Sequence, residues 1–194
     1  QRVRRETRLR IRENEPVETI TPTLGGFRVT TPGGAYETRA VLLAVGRRGR
    51  PRKLDVPGED QSHVVYRLAD PEQYSGKRVL VVGGGDSALE ASSALAKTEG
   101  TEVTLSYRGE AFTRAAPRSH ELFDEAVSDH GLAFLPSSEV TRIGSDEVEL
   151  RTDDGPRTLP VDAVVICCGG VMPNDFLHRI GVEVETKYGT PVAR

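Results

Sequence analysis

An α/β fold is predicted by three features of the sequence: apolar runs of the kind found in parallel sheets, a glycine turn between a strand and a helix, and a meander pattern that occurs twice. The apolar runs are Val41 to Val45, Val79 to Val82 and Ala163 to Cys168. Runs this long without polar alternation are expected of strands covered on both faces, as in parallel sheets. The glycine turn lies in Lys77 to Glu90, KRVLVVGGGDSALE, where an apolar run stops at three glycines and a helix-forming stretch follows.

The meander pattern appears on comparing Phe27 to Pro51, FRVTTPGGAYETRAVLLAVGRRGRP, with Val148 to Pro173, VELRTDDGPRTLPVDAVVICCGGVMP. Each opens with an alternating strand, carrying Phe27 and Val29 in one and Val148 and Leu150 in the other. A turn comes next, at Pro32-Gly33-Gly34 and at Asp153-Asp154-Gly155. A short polar strand succeeds it, and an apolar strand ends each unit at Val41 to Val45 and at Ala163 to Cys168.

Between the repeats the elements alternate. A strand over Arg78 to Val82 meets the glycine turn. A helix from about Ser87 to Thr98 has Ala88, Ala91 and Leu95 on one face, with Gly100 as its stop. A strand at Glu102 to Tyr107 carries Val103 and Leu105. A second helix, about Ser119 to His130, carries Leu122, Phe123, Ala126 and Val127 and ends at Gly131. A strand at Leu132 to Leu135 leads into the second meander. This is a three-layer arrangement of parallel sheet, helices and β-meander. The first meander should close a similar domain whose βαβ unit would lie upstream of Gln1. Because Gln1 is not a start methionine and Gln1 to Arg10 reads as the end of a helix, a piece of something longer is expected.

The turn itself reads G-x-G-x-x-A, a pattern that binds dinucleotides when it joins a strand to a helix. Gly83 permits a tight turn off the strand. Gly85 has no Cβ, so a pyrophosphate can approach the backbone. Ala88 keeps helix and strand close. The helix N-terminus offers free N–H groups and a positive dipole end, and Asp86 or Ser87 can cap it. At the tip of the second strand, Ser106-Tyr107-Arg108, there is no acid of the kind that binds the ribose 2′-hydroxyl of NAD. Arg108 and Arg114 can clamp a 2′-phosphate and Tyr107 can stack on the adenine. The reading favours NADPH over NADH, with Glu110 as the nearby acid that keeps NADH open.

A net charge of -3 argues against a nucleic-acid partner, so the arginine clusters at Arg4 to Arg12 and Arg47 to Lys53 read as solvated surface. No apolar run approaches the length of a membrane helix, and a membrane is not an expected partner. The two cysteines, Cys167 and Cys168, are adjacent and do not make a disulfide framework, which points to a reducing, cytoplasmic location. Successive strand residues face opposite sides, so the pair reads as small apolar filler, with a vicinal redox disulfide as the alternative. Four scattered histidines show no ligand spacing, and no metal site is expected. Asp162, just ahead of the apolar strand, has no clear role at this level.

Together these segments resemble the FAD-dependent pyridine nucleotide-disulfide oxidoreductases with two dinucleotide-binding domains, most closely the thioredoxin-reductase-like branch. Gly83-Gly84-Gly85-Asp86-Ser87-Ala88 is similar to that branch's NADPH motif, and Tyr107-Arg108 with Arg114 to its 2′-phosphate site. Ala44-Val45-Gly46 with Pro51 and Pro57-Gly58 resembles the first crossover between domains, and Cys168-Gly169-Gly170 with Pro173 the second. The resemblance implies a Rossmann-like NAD(P)H-binding domain at residues 49–169. It also implies remnants of an FAD-binding domain at 1–48 and 170–194, and site residues that include Ala44, Gly46, Gly169 and Gly170. It implies a flavoprotein that passes hydride from NADPH to FAD and on to an acceptor protein, a ferredoxin or a small disulfide, as a homodimer when full length.

The family's FAD glycine motif and its G-D motif are not in this sequence, so the chain alone should hold FAD poorly. The stretch EDQSHVVYRLADPEQYSGK carries no cysteine where thioredoxin reductases have C-x-x-C, which places the chain nearer the cysteine-less relatives. No catalytic acid or base is named, since the cofactors carry the chemistry. A non-catalytic NAD(P)H-binding or sensing module is the rival reading.

Overall fold

The computed structural model describes residues 10–45, 50–171 and 173–184. It divides into two compact units, Arg50–Val171 and a second made of Gln1–Gly49 with Met172–Arg194. The helix end expected over Gln1 to Arg10 lies almost wholly outside the described residues, and Gly46 lies outside them too.

The larger unit is built on a parallel sheet. Strands β5 (Val64–Val65), β6 (Arg78–Val82), β7 (Glu102–Ser106), β8 (Ala133–Leu135) and β12 (Ala163–Ile166) lie in the order β5-β12-β6-β7-β8. Helices α1 (Asp86–Ala96) and α2 (Pro117–His130) come after β6 and β7. An antiparallel meander of β9 (Glu139–Ile143), β10 (Glu147–Thr152) and β11 (Gly155–Pro160) connects β8 to β12. The alternation of a strand sorts side chains onto two cores. Val79, Val81, Ala163 and Val165 pack with α1 and α2. Leu80, Val82, Val164 and Ile166 pack with Val140, Ile143, Val148 and Leu150 of the meander. The sheet is therefore covered on both faces, which is why its strands can be apolar throughout.

Local chemistry fixes the ends of the elements. Pro117 opens α2 at a position where its missing N–H costs nothing, and Gly131 closes it in the left-handed region at φ 69°. Ser119, Phe123 and Ala126 make up the buried stripe of α2, and Val127 is 41% exposed. Asp162 resolves as half of a bidentate ion pair. Its carboxylate takes Arg78 Nη2 at 2.7 Å, Arg78 Nε at 3.0 Å and the Arg78 backbone N–H at 2.8 Å. The clamp ties the first residue of β6 to the entrance of β12, at the opposite end of the sheet from the glycine turn.

The chain enters and leaves this unit through a two-stranded antiparallel ribbon, β4 (Arg50–Pro51) paired with β13 (Gly170–Val171), extended by the bond from Arg52 N–H to Gly169 O at 3.0 Å. Beyond it, buried Glu59 gathers the entering segment. Its carboxylate accepts the N–H groups of Leu54 and Asp55, each at 2.8 Å, and the Tyr66 hydroxyl at 2.9 Å. Burial, reinforced by Glu59, pushes the Tyr66 hydroxyl up from 10.0 to about 12. A raised folded-state value means that this stability is complete below the unfolded value of 10.0 and is lost as pH climbs through about 12. Tyr66→Phe should cost about 1.5–3 kcal/mol at neutral pH, the worth of a hydrogen bond to a charged acceptor. The gap between the melting temperatures of wild type and variant should close on raising the pH across that window. A gap independent of pH would assign the loss to packing instead.

The smaller unit contains a meander of β1 (Thr19–Thr23), β2 (Gly26–Thr31) and β3 (Gly34–Thr38), and a short helix, α3 (Asn174–Arg179). Glu15 fastens it, accepting Thr31 Oγ1 and the Tyr36 hydroxyl, each at 2.7 Å. The hairpins of the two meanders correspond as the repeat implied. Their sequels differ. Val41 to Val45 was expected as a buried strand, yet it forms none, and Leu42 is 92% and Val45 49% exposed. The equivalent β12 is flanked by β5 and β6, whereas no described strand pairs with 41–45. An apolar run becomes a parallel strand only where neighbours take up its backbone hydrogen bonds. The other apolar run ends sooner than expected, at Ile166, with Cys167 and Cys168 beyond the strand.

Candidate dinucleotide-binding site

Strand order locates the site before any side chain does. From β6 the chain steps through α1 to β7 and through α2 to β8 on one side, while β12 and β5 lie on the other. The carboxyl ends of β6 and β12 therefore flank the point where the winding reverses, and such switch points open the crevice that holds ligands in α/β sheets.

The glycine turn sits in that crevice, and its three glycines meet different surroundings. Gly83 is buried at φ 146°, and a Cβ there would lie 2.5 Å from Cys167 O, so it lets β6 pass beside the end of β12. A Cβ on Gly84 would fall 2.1 Å from the Tyr107 ring. A Cβ on Gly85 would meet nothing within 4 Å. This open space lies at the N-cap of α1, where Gly85 supplies no side-chain cap; the Ala88 N–H is taken by Gly85 O at 2.9 Å, which leaves the N–H groups of Asp86 and Ser87 without a partner within the helix. A pyrophosphate fits this cradle in charge and in room. Ala88 is fully buried beside Gly83, its Cβ 3.1 Å from where a Gly83 Cβ would be.

Neither Asp86 nor Ser87 caps α1. Asp86 is the first helical residue, and its Oδ1 accepts the Ala116 N–H at 2.7 Å and the Ser119 hydroxyl at 2.8 Å, both at the start of α2. The Ala116 N–H first, then Ser119, hold its carboxyl below the ordinary range. Ser87 is exposed on the first turn.

Tyr107 comes directly after the end of β7 and lies over the turn. Its ring stacks on Phe112 with centroids 5.3 Å apart, and Phe112 in turn meets Phe123 at 5.0 Å and Phe134 at 4.9 Å. The backbone here is stitched to the end of β8 by Tyr107 N–H to Leu135 O and Ser138 N–H to Tyr107 O, each 3.0 Å. Beneath it, the buried hydroxyls of Ser106 and Ser138 are 2.7 Å apart. Arg108 is exposed and lines a depression of about 250 Å³ with Ser137, Glu139, Arg151, Thr152 and Asp153. Glu139 is ion-paired with Arg151. Sequence reasoning missed this wall, because Ser137 and Arg151 meet Arg108 only once the meander has folded back. Arg114 is exposed in the loop ahead of α2, and Glu110 is exposed in the same loop.

Gly169 (φ 83°) and Gly170 belong to the exit ribbon and are exposed. Ala44 is exposed in the smaller unit, outside any strand. Cys167 and Cys168 pack into opposite cores, and neither is disulfide-bonded. Burial pushes the Cys168 thiol up, which suits a filler and not a redox nucleophile. Among the described residues, no helix is long and apolar enough to cross a membrane.

The sequence model described as pyridine nucleotide-disulphide oxidoreductase matches residues 1–193, and the chain belongs to that family. It is 34% identical over 161 residues to a ferredoxin–NADP reductase of Ignicoccus hospitalis, covering 81% of this chain and 52% of the relative. Among solved structures it is similar to the bacillithiol disulfide reductase of Bacillus cereus, with a TM-score of 0.78 and 25% identity over 99% of this chain and 60% of that one. It shares its fold with T. acidophilum thioredoxin reductase, with a TM-score of 0.72 and 23% identity over 90% of this chain and 58% of that one. The chain thus spans a little over half the length of each of these three proteins.

Proposed function

We propose that this chain is the NADPH-binding portion of an FAD-dependent oxidoreductase that passes reducing equivalents to a disulfide, a ferredoxin or a similar acceptor. The observation that carries the reading is the glycine turn at the switch point, with open space over Gly85 at the start of α1. The ferredoxin–NADP and bacillithiol disulfide reductases among its relatives support the class. Bound NADPH would supply hydride chemistry with FAD as the acceptor, and that chemistry belongs to the cofactors. This chain's residues bind and orient. The first-turn N–H groups of α1 hold the pyrophosphate, Gly83 and Ala88 keep strand and helix close enough to aim them, and Arg108 with Arg114 recognises the 2′-phosphate. In this reading Arg50–Val171 is the nucleotide domain, and the smaller unit belongs to an FAD domain.

Titration by calorimetry tests it. NADPH should bind more tightly than NADH, and Arg108→Ala should weaken NADPH about tenfold or more, the loss of a charge-assisted contact, with little change for NADH. Equal affinity of the wild type for both nucleotides would contradict the 2′-phosphate assignment.

A further inference from the structure

An acidic side chain at the first turn of α1 is out of place where a pyrophosphate is to bind, since the two anions repel. Asp86 avoids the conflict by turning its carboxylate away to α2. There it does what α2 cannot do for itself. The N-cap of α2 is Ala116, which has no side-chain acceptor, and no side-chain cap is made. Asp86 accepts the N-cap N–H and the hydroxyl of Ser119 at the third helical position, a capping arrangement whose acceptor comes from another helix.

The segment between these anchors is the loop Tyr107 to Ala116, which carries both arginines. Its start is held by β8 through Tyr107 and by the Ser137 N–H to Gly109 O bond at 3.2 Å. Its middle is held by Phe112, 9% exposed among aromatic rings. Its end is held by Asp86. Arg114 is exposed two residues before that anchor, and no ion pair of its own fixes it among the described residues.

We infer that Asp86 is a positioning residue for 2′-phosphate recognition: it contacts no part of the nucleotide, and it locks the end of the arginine loop to the turn that holds the pyrophosphate. The two anionic groups of NADPH are thereby read by parts set in fixed register. The inference rests on the NADPH reading proposed for this site.

Because both bonds converge on Oδ1, the amide oxygen of Asn can keep them, while Ala removes them. Calorimetric titration of the full chain with NADPH and with NADH should show Asp86→Ala losing about tenfold in NADPH affinity, with NADH changed by less than about twofold. Asp86→Asn should restore the wild-type ratio, and Ser119→Ala, which removes one bond, should fall between. An Asp86→Ala variant that weakens both nucleotides equally, or an Asn variant that behaves like Ala, would overturn the inference. So would tighter binding of both nucleotides by both variants, the signature of a carboxylate acting by repulsion alone. These outcomes leave NADPH preference intact in the wild type. Absence of that preference in the wild type would instead overturn the underlying reading, and the inference with it.

Discussion

Gly85→Val should abolish measurable NADPH binding and leave the fold unharmed. Gly85 has an ordinary backbone conformation, φ −112°, and its missing Cβ faces empty space. Valine is therefore accepted without strain, and only a ligand pressed against the backbone would feel it. The added isopropyl group displaces the pyrophosphate from the first-turn N–H groups, a loss of several charge-assisted hydrogen bonds. About 100-fold or more in affinity should go, equivalent to about 2.7 kcal/mol. Calorimetry reads the affinity and thermal melting reads the fold. A variant that melts like the wild type and still binds NADPH would remove this turn from the site.

Gly83→Ala should do the reverse, damaging the fold before the site. Gly83 sits at φ 146°, where an L side chain is strained, and the new methyl would lie 2.5 Å from Cys167 O and 2.9 Å from Cys167 C. Those are backbone atoms next to β12, in the middle of the parallel sheet, and they have nowhere to move. Strain and overpacking together should cost about 2–4 kcal/mol. Urea denaturation measures it, and a loss under about 0.5 kcal/mol, the range of an unremarkable surface change, would show that the strands do not need this close approach. The contrast separates two glycines that a sequence pattern treats alike: one is required by the protein, the other by the ligand.

Much of the fold was legible because it is local. The step from Val82 to Gly83, the start of α1, the closure of α2 at Gly131 and the two-faced placement of Cys167 and Cys168 arise from glycine conformation and strand alternation within a few residues. The illegible parts depend on partners far along the chain. Val41 to Val45 has the composition of β12, but pairing decides what such a run becomes. Asp86 looked like a cap for its own helix, and its partners stand 30 and 33 residues later. Arg151 joined Arg108 through the fold of the meander, at a spacing that no pattern marks. The repeat was readable as two hairpins, whereas the pairing of β12 and the lack of it at 41–45 were not.

The β4–β13 ribbon has a consequence for how such a protein can be assembled. Entry and exit are hydrogen-bonded neighbours, so to the rest of the polypeptide the larger unit costs no more to close than a tight hairpin, whatever its length. A unit of that kind behaves as a cassette. It can be inserted, exchanged for another of different nucleotide preference, or circularly permuted, with only two adjacent peptide junctions to reconcile.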